Sequence, residues 1–158
     1  MSLILTLLLV QITPEQPMPK GTALPPPSTT EGAVMAPVTA LLAGLAAHDG
    51  SAILAVTRPE GSATAVTKQS DGGSALHRTS WTEFVAGIAA HPGRIEELLS
   101  DPAVEIDGDV AMVWAPYRLS VNGKLLHCGT DHIDLVRSGD GWKILNLTWS
   151  ARTTGCDE

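Results

Sequence analysis

An α+β domain, with helices covering one side of a curved antiparallel sheet, is predicted for this 158-residue chain by three observations. The turn signals Asp107-Gly108, Asn122-Gly123 and Gly139-Asp140-Gly141 separate four strand-like runs at 94–106, 110–121, 124–137 and 142–152. Asn-Gly and Asp-Gly supply the positive φ angles that tight hairpins need, so the runs read as a meander. Upstream lie an Ala/Leu-rich helical segment and a second helix opened by a capping-box pattern.

In chain order, residues 36–47 (APVTALLAGLAA) place apolar side chains at helical spacing, with Pro37 suited to a first turn and Gly50 to a left-handed stop. Residues 51–57 suit a short helix capped by Ser51, although their β-branched residues also suit a strand. Residues 63–69 and 75–79 flank Ser70-Asp71-Gly72-Gly73 and read as a hairpin. Ser80, with Glu83 three positions on, opens a helix through about residue 90, and His91-Pro92-Gly93 stops it. The meander follows.

Composition narrows the function classes. A 44% hydrophobic content is enough for an ordinary core, and a net charge of −7 with scattered Lys and Arg argues against nucleic-acid partners. The apolar run 3–10 is far too short to span a bilayer, which takes roughly 20 residues. It resembles the core of a signal peptide, but a degenerate one, without a positively charged start or a clear A-x-A site. Residues 1–11 are therefore assigned as an export signal and 12–32, rich in Pro, as a disordered linker; residues 33–158 form the domain. This predicts a periplasmic or secreted protein, the alternative being a cytoplasmic one with a disordered tail. In an exported chain the even cysteine count favours a Cys128–Cys156 disulfide, against two unrelated thiols. Five scattered His and two Cys show no metal-ligand spacing, and no phosphate loop, nucleophile elbow or dinucleotide fingerprint is present, so no metal or cofactor is expected.

The order of elements resembles the nuclear transport factor 2-like (cystatin-like) cone. Val113-Trp114-Ala115-Pro116-Tyr117, His127-Cys128-Gly129-Thr130-Asp131, Gly141-Trp142-Lys143-Ile144, Ser80-Trp81-Thr82-Glu83-Phe84 and the terminal Gly155-Cys156 resemble a bacterial branch named for lumazine binding. The resemblance covers residues 33–156 and implies a cone-shaped sheet with helices packed on its concave face. What carries over is the fold and the pocket, since riboflavin-synthase-type lumazine sites belong to a different barrel. Relatives of this fold include isomerases, dehydratases, epoxide hydrolases and cyclases beside non-catalytic binders, so the site must decide.

Strict alternation along 142–150, oriented by the resemblance, places Asn146 and Thr148 inside the cavity. It places Leu145, Leu147 and Trp149 on the outer face, where an apolar surface predicts a homodimer. A two-residue hairpin at Asn122-Gly123 sets Trp114 opposite Asp131 and Arg118 beside His127. Trp81, Trp114, Tyr117, Asn146 and Thr148 are thus the expected ligand contacts. Asp131 and His132 are the candidate catalytic groups, a carboxyl in an apolar cavity having its pKa raised toward a useful range. Consecutive strand residues point to opposite faces, so only a bulge, for which Gly129 is placed, would bring both inside. His77 and His91 read as solvated. The leading expectation is a non-catalytic domain with a Trp-lined apolar pocket for a small apolar or aromatic ligand, because no paired acid–base set is apparent. The alternatives are a pocket enzyme of isomerase, dehydratase or cyclase type using Asp131, and a ligand-free dimerisation module.

Overall fold

A computed structural model of the chain describes residues 29–69, 71–139 and 141–156. The expected export signal at residues 1–11 and nearly all of the Pro-rich segment lie outside the described residues. Three helices, α1 (Thr29–Ala47), α2 (Gly50–Val56) and α3 (Trp81–Ala90), pack on a seven-stranded sheet. Its strands are β1 (Thr57–Lys68), β2 (Ser74–Ser80), β3 (Ile95–Leu99), β4 (Ala103–Asp107), β5 (Val110–Val121), β6 (Lys124–Ser138) and β7 (Gly141–Ala151). The sheet order is β2-β1-β7-β6-β5-β3, with β4 also pairing β5, and all neighbours are antiparallel except β1 and β7.

Helix α1 begins seven residues before the predicted start at residue 36, which puts Pro37 inside the helix. Val34, Val38, Leu41 and Leu45 recur at three- and four-residue spacing and are buried, the stripe by which a helix seats on a sheet. An 18-residue window of α1 is long and apolar enough to cross a membrane, and this buried stripe marks the same helix as part of the core. Helix α2 is capped by Asp49, whose carboxylate accepts from the Ala52 N–H at 3.0 Å, and not by Ser51. The capping box at α3 is complete: Ser80 Oγ accepts from the Glu83 N–H, and the Glu83 carboxylate accepts from the Ser80 N–H at 2.8 Å.

The run 94–106 is two strands rather than one. It breaks at Ser100-Asp101-Pro102, where Asp101 has a φ of 42°, so β3 and β4 each pair a different stretch of β5. Asn122 and Gly123 both have positive φ, as the hairpin between β5 and β6 requires. Just beyond that turn a bulge at Leu126 moves the register by one. Leu119 pairs with His127, Arg118 with Cys128 and Trp114 with His132, so Trp114 does not face Asp131 and Arg118 does not face His127.

A second bulge changes more. Leu145 is the extra residue between Ile144, paired with Leu135, and Asn146, paired with Asp134. Trp142 and Ile144 face the helices, and past the bulge so do Leu147 and Trp149, while Asn146 and Thr148 turn to the outer face. The bulge has two causes at a distance. The Trp81 indole N–H donates to the Leu145 carbonyl at 3.1 Å, and that oxygen occupies space that a Cβ on residue 61 would need, so only Gly61 fits.

Cys128 and Cys156 are joined, with Cα atoms 5.7 Å apart across 28 residues. The bridge clamps the tail beside β6, where Cys128 and Arg152 exchange backbone hydrogen bonds of 3.0 and 2.9 Å. In the chain-entropy picture, loss of such a loop closure lowers stability by roughly 3–4 kcal/mol. Denaturant titration of the Cys128→Ser/Cys156→Ser protein against the oxidised parent should show that loss. Gly61→Ala is expected to cost about 2–3 kcal/mol by overpacking, read in the same titration.

Candidate functional site

Between the concave face of the sheet and helices α1 and α3 lies a cavity of about 210 Å³. Leu45, Phe84 and Ile88 wall it from the helices, and Ile95, Leu119, Val121, Leu126, Leu147 and Trp149 from the strands. Phe84 stands edge-on between Trp81 and Trp149, with ring centroids 5.7 and 6.1 Å away, and fixes the aromatic end of the wall. Four titratable side chains enter this apolar space: Glu97, Asp131, His127 and His91.

Asp131 is 3% exposed on β6, paired opposite Ala115. Burial pushes its carboxyl up to about 6, partly opposed by a hydrogen bond shared with Glu97. Glu97, half-buried on β3, is pushed well above the ordinary carboxylate range, first by burial, then by the charge of Asp131 and their shared hydrogen bond. Two carboxyl groups that share a dry site cannot both ionise readily, so the pair titrates as a unit and holds one proton between them near neutral pH. This is a paired acid–base set, contrary to the sequence expectation. Its signal lay in Ile95-x-Glu97-x-Leu99, which puts Glu97 on the same strand face as two apolar residues.

Tyr117, 2% exposed, donates its hydroxyl proton to the Ser150 carbonyl at 2.9 Å. A carbonyl only accepts, so the phenol oxygen must accept from His127 Nδ1, also at 2.9 Å. His127 is therefore the Nδ1–H tautomer, with Nε2 left as a base, and burial lowers its pKa and keeps the ring neutral. Burial and the charges of Asp131 and Glu97 raise the Tyr117 phenol, while Arg152 acts the other way, so the hydroxyl stays protonated. Gly129 makes this geometry accessible. It pairs with Tyr117, and any Cβ there would strike the Ser150 carbonyl that receives the phenol.

The other sequence candidates lie elsewhere. His132 points to the outer face, as alternation requires, with Nε2 3.5 Å from Asp134 and its ring 6.0 Å from Trp114. Trp114 is on that face too and 51% exposed, so it is not a cavity wall. Asn146 joins a polar ladder across the outer face: Arg78 donates to Ser62 at 3.0 Å, Ser62 to Asn146 at 3.3 Å, and Asn146 to Asp134 at 3.2 Å. Thr148 sits opposite His132 on the same side. Trp81 is in the core with its N–H spent on Leu145, and Tyr117 stands behind His127. Leu147 and Trp149, expected outside, line the cavity, and His91 stands at its edge. No cluster of metal-ligating groups occurs among the described residues.

The native state holds on Asp131 a proton that the unfolded chain releases near pH 4, so folded stability falls as pH rises from about 4 through 6. The loss from this group is about 2–3 kcal/mol. Asp131→Asn removes this share: urea midpoints of the parent should fall more steeply across that window than those of the variant, whose remaining decline comes from buried Glu97, and equal declines would show that Asp131 carries no such burden.

No protein-family model matches the sequence, and no curated protein does. Solved structures match over most of the chain at low identity. A nuclear transport factor 2-like protein from Cytophaga hutchinsonii has a TM-score of 0.65 at 11% identity, covering 79% of this chain and all of that one. A "putative dehydratase" of that family from Streptomyces avermitilis has 0.63 at 20%, covering 79% and 97%. The beta subunit of a "putative aromatic-ring-hydroxylating dioxygenase" from Novosphingobium aromaticivorans has 0.64 at 12%, covering 78% and 90%. The curved open sheet, its three helices and these likenesses together give the chain the nuclear transport factor 2-like, cystatin-like fold.

Proposed function

We propose that the domain is a pocket enzyme that moves a proton on a small, mainly apolar substrate, in the manner of an isomerase, dehydratase or cyclase. The observation that carries this reading is Asp131, buried in an apolar cavity with Glu97 in hydrogen-bond contact. Pairs of acids whose surroundings push them out of the ordinary range divide the roles of base and acid. Above about pH 6 ionised Asp131 takes a proton from carbon beside a carbonyl. Glu97 gives its proton to the developing enolate oxygen, or to a departing hydroxyl that leaves as water. The apolar walls keep water from levelling the two groups, and Phe84 and Trp149 hold the flat part of the substrate.

The Cys128–Cys156 bridge supports placement in an oxidising compartment, periplasmic or extracellular. The likeness to the branch named for lumazine binding supports the pocket without identifying that ligand. A second copy docked on the outer face would meet Trp114 and His132, not Leu147 and Trp149.

Proton abstraction is read directly by the uptake of solvent deuterium at the α-carbons of a panel of small cyclic ketones, followed by NMR. The parent protein should exchange at least one ketone faster than buffer, and Asp131→Asn should slow this by about 100-fold or more. Glu97→Gln, which still donates a hydrogen bond, should retain part of the rate. Ketones that bind without exchange above buffer would return the domain to a non-catalytic ligand binder.

A further inference from the structure

A second depression, of about 500 Å³, opens at the end of the sheet where β1 and β7 finish and β6 begins. Thr67, Lys68, Gln69, His127, Arg152 and Thr153 border it. It shares His127 with the apolar cavity as a lining residue. Register puts Thr67 and its partner Ala151 one step outward from Ala65 and Trp149 on the cavity's face, and Lys68 and Arg152 follow them at the strand ends.

The charge of this rim is opposite to that of the cavity floor. In a chain of net charge −7, it gathers two cations and no carboxylate among its described lining residues. Neither Lys68 nor Arg152 is ion-paired with a described carboxylate. Arg152 is held in place from three sides: its backbone pairs with Cys128, the Cys128–Cys156 bridge closes behind it, and its Nη2 donates to the Gly155 carbonyl at 3.3 Å. Its guanidinium keeps further N–H donors, and its charge reaches as far as Tyr117. Lys68, at the end of β1, is exposed.

We infer that the pocket takes an amphipathic acid: its apolar body enters the cavity, and its anionic oxygen group stays at the Lys68–Arg152 rim. The inference rests on the proposed proton-transfer reading for the use of the site, and it adds the class and orientation of the substrate. An acidic floor and a basic rim admit such a molecule only one way round. The head group stays with the cations, and the carbon to be deprotonated lies below, toward Asp131. A cationic head would be repelled at the entrance, and a neutral one would gain nothing there.

Calorimetric titration with three compounds sharing one tail tests this: 4-phenylbutyrate, 4-phenylbutan-1-ol and 4-phenylbutylamine. At low salt the carboxylate should bind about tenfold tighter than the alcohol, as two partly exposed ion pairs would give, and the amine weakest. Added salt should shrink the preference. Lys68→Gln alone should reduce it, and Lys68→Gln/Arg152→Gln should abolish it while leaving the alcohol unaffected. The single variant leaves the tail clamp intact and so separates loss of charge from loss of fold. 4-Phenylbutyl phosphate, run alongside, shows whether the rim prefers a carboxylate or a phosphate head. Alcohol or amine binding as tightly as the acid, an acid preference that survives in the double variant, or no binding by any compound would overturn the inference. Asp131→Asn should keep the acid preference even where deuterium exchange is lost, so failure of the reaction and failure of the substrate class give different results.

Discussion

The contact of the Leu145 carbonyl with Gly61 and the Trp81 indole governs which residues reach the interior. A strand has a two-residue period, so one inserted residue exchanges its faces from that point onward. Here the insertion leaves Trp142 and Ile144 in the core and then delivers Leu147 and Trp149 to the same side. Without it, Asn146 and Thr148 would face the helices and the cavity would lose both its aromatic wall and its dryness. The raised carboxyls of Asp131 and Glu97 follow from that dryness, since burial is the first cause of each shift. A hydrogen bond from an indole on α3 thus sets the acid–base character of a site on β3 and β6.

What could be read from the chain divides according to the range of the forces involved. The Asn122-Gly123 turn, the Ser80–Glu83 capping box and the strand run of β5 depend on neighbours within a few residues, and they were legible. The Cys128–Cys156 pairing was legible as one of two alternatives, from count and placement. The two bulges were not legible, because the Leu145 carbonyl is fixed by residues 64 and 84 positions away. The bulge at Leu126 moved each later pair by one, and so Trp114 came to rest against His132. The superfamily-level architecture survived these errors because it depends on the order of elements and not on register.

The candidate site shows the same division. Asp131 was found because a carboxyl on a strand facing an apolar cavity is a natural proton-transfer group. Glu97 was missed because the run 94–106 looked like one strand, and the break at Asp101 decides which stretch of β5 receives it. His127 was read only as a neighbour of Arg118 until the Ser150 carbonyl, brought close by the absence of a side chain at Gly129, gave Tyr117 and His127 a chain of donors. Each of these depends on a backbone approach between elements that are distant in sequence, and side-chain identity alone does not report such an approach.

The disulfide has a consequence for how firmly the two halves of the pocket are held. Asp131 sits in the middle of a paired strand, and Glu97 is paired to β5, so the floor inherits the rigidity of the sheet. Arg152 belongs to the last turn of chain before Cys156, where the tail meets β6 through one isolated bridge and one covalent link. Reduction would thus act on the two ends unequally: the mouth of the pocket would loosen while the reacting groups kept their places. Thiol oxidation state would then bear on what is admitted more than on what is done to it.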